Sequence, residues 1–150
     1  MEHSRHLHST STSIFFTLAL APPAEDLLQD IDLLHTALRQ IRAAFPFTAD
    51  AWVVLPDHLH MIWTLSPGDA GHALRWGLIA RRFAAARLAR HPDAAPLLDR
   101  IWEHRLRDTD DFSRHLRLCA EDPVRHGFVY QAQDWPYSSA YQRPRLRLVR

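Results

Sequence analysis

His58-Leu59-His60 is the spacing in this chain that most directly suggests chemistry. It lies within Ala51-Trp-Val-Val-Leu-Pro-Asp-His-Leu-His-Met-Ile-Trp-Thr-Leu65. On a strand, side chains at i and i+2 share a face and stand about 6.5 Å apart along the chain. His58 and His60 would therefore project together, with Leu59 and Met61 facing the core. Two neutral imidazoles on a rigid strand are a bidentate start to a divalent-metal site. The spacing alone is equally that of two exposed strand histidines in a chain holding 11 His.

A metal would need a third ligand, and the last helical segment offers Asp122. This residue follows Leu118 by four positions, so the two are neighbours on one helix flank. At 100° per residue that flank also carries Asp111 and lies roughly 90° from the Phe112, Leu116 and Cys119 face. A carboxylate at a helix C-terminus meets the negative end of the dipole and calls for a cation nearby. The cation is either a metal, or Arg125 or His126.

The elements that must position these groups can be read from periodicity. Ser13 to Leu20 is β-branched and aromatic and ends at Pro22-Pro23, which reads as a strand. Ile31, Leu34, Leu38 and Ile41 mark one helix face, and that helix should stop before Pro46. Phe47 to Leu55 and His58 to Leu65 read as a strand pair closed by Pro56-Asp57. A second helix follows, with Trp76, Ile79, Phe83 and Ala86 on its buried face and Arg75 and Arg82 on another. Arg100 to Arg107 reads as a fourth strand. Asp108-Thr109-Asp110-Asp111 starts a third helix, which Pro123 is expected to end, since the residue before proline avoids helical angles. The order β-α-β-β-α-β-α, with helices on one face of an antiparallel sheet, predicts an α+β fold close to a ferredoxin-like split βαβ.

The 150 residues suit one domain, and the 47% hydrophobic and 23% charged content is ordinary for a globular protein. We expect a flexible His-rich arm at 1–12, a folded domain at 13–143 and a basic tail at 144–150. No apolar run reaches the roughly 18 residues of a membrane span, and the N-terminus lacks a signal-peptide layout. A cytoplasmic location is expected. Cys119 is the single cysteine, which excludes a disulfide framework. Net charge is only +1, but all 18 basic residues are Arg. Arg forks onto phosphate and stacks on bases. GC-rich coding produces the same bias, so an individual Arg carries weight only where geometry supports it.

Several blocks, in order, resemble the REP-associated tyrosine transposases, relatives of the IS200/IS605 transposases with an HUH motif. The run from Ala51 to Leu65 resembles the HUH segment. Phe15-Phe16-Thr17 is similar to the family's first strand. Trp102-Glu103-His104-Arg105-Leu106-Arg107-Asp108 is similar to its Trp-Glu-His-x-Ile-Arg-Asp block. Asp122-Pro-Val-Arg-His-Gly-Phe-Val129 is similar to its Asn-Pro-Val-Lys-His-Gly-Leu-Val. Asp134-Trp-Pro-Tyr-Ser-Ser139 is similar to its terminal block. The resemblance spans about residues 14 to 143.

The resemblance implies a ferredoxin-like HUH domain that binds imperfect DNA hairpins. It implies a helical tyrosine that attacks a phosphodiester and becomes 5′-phosphotyrosine, and a divalent metal, Mg²⁺ or Mn²⁺, held by two histidines and a polar residue. His58 and His60 match the histidine pair, and Asp122 stands at the family's Asn. The tyrosine precedes that Asn by four residues, and here that position is Leu118, which has no nucleophilic atom. Tyr130, Tyr137 and Tyr141 all follow Pro123. Near Ala80-Arg81-Arg82 the family tends to have Lys, and its Trp-Gln ahead of the Trp-Glu-His block is Leu98-Asp99 here.

Three functions are therefore in play. The first is a catalytically impaired protein that binds single-stranded or hairpin DNA through Arg75, Arg81, Arg82, Arg105 and Arg125, as a monomer or homodimer. In it, Trp63, Trp76 or Trp135 could stack on bases, although core packing is the favoured role for Trp76 and Trp102. The second is an active metal-dependent nuclease or transposase with a substitute nucleophile. The third is a decaying remnant.

Overall fold

The computed structural model describes residues 11–97 and 101–142. The expected basic tail, Leu98-Asp99 and all of the arm except Ser11 and Thr12 lie outside these. Four strands, β1 (Thr12–Ala19), β2 (Thr48–Val54), β3 (His58–Leu65) and β4 (Trp102–Arg105), form one sheet in the order β2-β3-β1-β4. Every neighbouring pair is antiparallel. Three α-helices alternate with them: α1 (Ile31–Ala44), α2 (His72–Arg90) and α3 (Thr109–Arg125). The fold is α+β, with the element order the periodicity predicts. Among the described residues no helix is long and apolar enough to cross a membrane.

The period-2 alternation of β3 divides the core in two. Leu59, Met61, Trp63 and Leu65 join Ile14, Phe16 and Leu18 of β1 against Leu34 and Ile41 of α1 and Trp76, Ile79 and Phe83 of α2. Phe15, Val53 and Ile62 face the other way, against Phe112 and Cys119 of α3 and Trp135. The helices therefore cover both faces, not one. A carboxylate on α3 can meet His58 and His60 only if α3 lies on the side of β3 away from Leu59 and Met61.

Two buried arginines on α2 depart from the expected pattern. Arg75 was expected on a solvent face but is 5% exposed. Its Nε donates to Phe45 O at 2.9 Å, one Nη to Pro46 O at 3.0 Å, and both Nη groups grip Asp69 at 3.0 and 2.7 Å. Gly71 leaves the space this requires, since a Cβ there would lie 2.9 Å from Arg75 Nη1. Arg87, beside the half-buried Ala86, is also buried and donates to Asp30 at 2.8 Å.

The Arg75 bonds hold the Asp69 carboxyl down to about 2. A depressed folded-state value contributes stability that is complete above the unfolded value near 3.8 and is lost as pH falls through about 2. Asp69→Asn should therefore flatten the acid limb of the stability curve between those values. Urea unfolding at a series of pH values measures it; parallel curves for the two proteins would contradict the assignment.

Helix α3 runs through Pro123 instead of ending there. Proline removes one i to i−4 bond, here to the carbonyl of Cys119. The end comes at Gly127, whose φ is +80°. Phe128 N–H donates to Pro123 O at 2.9 Å and Gly127 N–H to Val124 O at 3.0 Å, a Schellman closure. The N-terminus follows expectation, with the Asp108 side chain accepting from Asp111 N–H at 2.7 Å.

Candidate metal centre and its surroundings

Register places both histidines. His58 pairs with Ala19 and His60 with Thr17 on β1, so their side chains rise on the α3 face. Each ring is held from behind. His58 Nδ1 lies 2.6 Å from Asp57 Oδ1, and His60 Nδ1 lies 2.8 Å from Thr17 Oγ1. These bonds present Nε2 of each ring forward, and both Nε2 atoms reach one oxygen, Asp122 Oδ2, at 3.0 and 3.1 Å. Metal-ligating histidines are commonly fixed in this way through their second nitrogen.

Asp122 is buried on α3. Burial disfavours its charge, but the His58 and His60 bonds outweigh that and hold the carboxyl far below the usual carboxylate range. Burial likewise works against a charged His58 ring, yet its bonds to Asp122 and Asp57 raise its pKa. Two imidazoles and a carboxylate whose second nitrogens are already engaged fit a divalent cation.

From sequence His126 stands only as a cation that could relieve Asp122. Its Nε2 is 3.4 Å from Asp122 Oδ1, and its ring stands 5.3 Å from that of His58. Donor atoms of His58, Asp122 and His126 all lie within 4.8 Å of one another. His126 is thus a fourth candidate ligand, and its i+4 spacing from Asp122 was the available signal. Arg125 makes no ion pair with Asp122 among those observed.

Leu118 is half-buried on α3 and packs against the core cluster that contains Phe15, Val53 and Cys119. Tyr130 lies beyond the helix and is 98% exposed, Tyr137 touches Trp135, and Tyr141 follows in the C-terminal segment.

A scan for matching family models finds none. The chain is 34% identical to the REP-associated tyrosine transposase of Escherichia coli K12, over 95% of this chain and 84% of the relative. The chain belongs to the REP-associated tyrosine transposase family. A putative REP-associated tyrosine transposase of Haemophilus influenzae is 30% identical, over 85% of this chain and 79% of that protein. A solved REP-associated tyrosine transposase bound to a REP hairpin superposes with a TM-score of 0.78 and 36% identity, covering 85% of this chain and 76% of that one. A putative transposase from Deinococcus radiodurans shares the fold, with a TM-score of 0.54 at 13% identity.

Of the five arginines expected to contact DNA, four are exposed and Arg75 is buried. The Arg75 guanidinium is filled by protein acceptors and does not reach out to a phosphate. Arg81 and Arg82 are exposed on α2, where Arg82 donates to Gln40 at 2.8 Å. Arg105 is exposed on β4 and bonds Thr12 Oγ1 at 3.1 Å. Arg125 is exposed in the last turn of α3.

The tryptophans follow expectation in part, since Trp76 packs in the core as favoured from sequence. Trp63, Trp76 and Trp135 are buried, so none offers a face to a base. Trp102, expected in the core, is 44% exposed. It pairs with Thr17, the residue that holds His60, and so shares the sheet face of the histidines.

Proposed function

We propose that this family member binds single-stranded or hairpin DNA of REP-like palindromes and no longer forms a covalent link to it. The observation that carries this reading is the donor cluster on Asp122, one helical turn from a leucine. His58, His60 and Asp122 are the ligands of a divalent cation, Mg²⁺ or Mn²⁺, with His126 beside them. Such a cation, when bound, would polarise a scissile phosphodiester. Asp57 and Thr17 hold the two rings at the bearing the site requires. Leu118 stands where the family resemblance places the tyrosine, so the attacking oxygen is missing.

Arg81, Arg82, Arg105 and Arg125 supply phosphate contacts. Arg125 shares α3 with Asp122. Trp102 offers a ring on the histidine side of the sheet, and base stacking of this kind is worth about 1–3 kcal/mol. The relative bound to a REP hairpin supports DNA as the partner.

A labelled REP-type hairpin tests the reading. It should shift in a gel at moderate salt, and affinity should fall per decade of salt by about 0.7 log units for each single-strand phosphate contacted and about 0.9 for each in the duplex stem. With Mn²⁺ present, a denaturing gel should show no protein–DNA adduct. A salt-independent shift would remove the phosphate contacts. An adduct formed by the unaltered chain would instead favour a substitute nucleophile, with exposed Tyr130 the first to examine.

A further inference from the structure

A second cluster on α3 repeats the donor set of the first. His104 comes from β4, brought to the α3 face by pairing with Phe15. Asp111 and His115 lie one turn apart on α3, a spacing that puts them side by side. His104 Nε2 is 2.9 Å from Asp111 Oδ2, and His115 Nδ1 is 3.3 Å from Asp111 Oδ1. The two imidazoles stack with centroids 4.8 Å apart and planes 24° apart. Donor atoms of all three residues lie within 4.8 Å of one another. Around a tetrahedral ion with bonds of 2.0–2.1 Å, neighbouring donors stand about 3.4 Å apart. The carboxylate already sits near that separation from both rings.

We propose that His104, Asp111 and His115 form a second cation site, for a borderline divalent metal such as Zn²⁺. Two imidazoles and one carboxylate suit Zn²⁺, Co²⁺ or Ni²⁺ better than an all-oxygen ion. The site is separate from the Asp122 cluster, because the Phe15 ring intervenes: it stacks on His60 at 5.1 Å and meets His115 at 4.8 Å. Asp111 is buried, while His104 is open to solvent and gives an ion a way in.

The present partners of Asp111 allow the exchange. Arg114 Nη2 is 3.2 Å from Oδ1, but Arg114 is largely exposed, and such a pair contributes little. The Arg107 N–H donates to Oδ2 at 3.1 Å and can stay as an outer bond to a ligating carboxylate. His115 Nδ1 now donates to Asp111 O at 2.8 Å. Coordination through Nδ1 moves that proton: a neutral ring carries its one N–H to Nε2 by tautomer exchange, and a doubly protonated ring gives one proton to the buffer and keeps Nε2–H. The bound ion would tie edge strand β4 to α3, the helix carrying Leu118 and Asp122.

Calorimetric titration of the full chain with Zn²⁺ after chelator treatment is the test. In a His58→Ala/His60→Ala background, which disables the first cluster, one further equivalent should bind and raise the melting temperature. Adding His104→Ala/His115→Ala should remove that equivalent and the thermal shift together. Binding that persists without His104 and His115 would assign it elsewhere, such as to His3, His6 and His8, and would overturn the proposal. So would absence of Zn²⁺ uptake by the background protein at 100-fold excess. Should that background not fold, His104→Gln/His115→Gln in the otherwise unaltered chain gives the same reading, with stoichiometry falling by one if the site exists and unchanged if it does not.

Discussion

Leu118→Tyr is expected to form a covalent DNA adduct where the unaltered chain, on the proposed function, forms none. Residue 118 lies one turn before Asp122 on α3, and α3 is anchored at both ends. Asp108 caps its start and the Gly127 turn closes its end. The helix therefore delivers residue 118 to a fixed place relative to the donor cluster. A tyrosine oxygen attacking phosphorus would form one P–O bond and break another, leaving a 3′-hydroxyl on the departing strand. The linked strand keeps its 5′ end on the protein, so a 3′-labelled hairpin should migrate with the protein on a denaturing gel. EDTA should abolish the band.

The size of the effect depends on placement, since a 1 Å error can cost about 100-fold. Leu118 is half-buried, so the larger ring has an open side, and overpacking should cost at the low end of about 1–3 kcal/mol. Leu118→Phe is the control, because it adds the ring without the oxygen and should give no adduct. If Leu118→Tyr folds, binds Mn²⁺ and shifts the hairpin but forms no adduct, the loss of chemistry extends beyond one residue.

The donor cluster was legible because it depends on local geometry. A strand fixes i and i+2 on one face, and a helix fixes i and i+4, so His58, His60 and Asp122 needed only one tertiary fact, that α3 crosses behind β3. His126 met the same spacing rule from Asp122 and was read only as a counter-charge. The buried arginines were not legible in this way. Whether Arg75 faces solvent or core depends on the carbonyls of Phe45 and Pro46 and on Asp69, which no helical period encodes. Trp102 failed for a related reason. Its type favours burial, but it lies on edge strand β4, where α3 does not fully cover the sheet. Pro123 misled because its local rule is real but small beside a capped helix end. The missing N–H costs one bond, while the two Gly127 and Phe128 bonds and burial of the ring hold the last turn.

Asp30→Ala should cost about 3–5 kcal/mol of folding stability, the range for leaving a buried charge without its partner. Asp30 is fully buried and receives Arg87 at 2.8 Å, Arg90 at 3.2 Å and His91 at 3.2 Å. Arg87 is buried as well and cannot shed its proton. With Asp30 gone, its nearest remaining carboxylate is Asp26 at 3.6 Å. Urea unfolding at neutral pH measures the loss, and a change below about 1 kcal/mol would contradict it. Replacing both partners, Asp30→Leu with Arg87→Met, should recover most of it, because the penalty belongs to the orphaned charge. Asp122 offers the contrast. It too is a buried carboxylate with several basic neighbours, but those neighbours are imidazoles, a group that unlike guanidinium can exist as a neutral ring. Asp122→Ala should therefore destabilise the metal-free protein far less than Asp30→Ala while lowering Mn²⁺ affinity by at least the roughly 10–100-fold typical of outer-shell losses. The choice of neighbour separates the two expected roles: arginine locks a carboxylate into the fold, and histidine suits one proposed to take a metal.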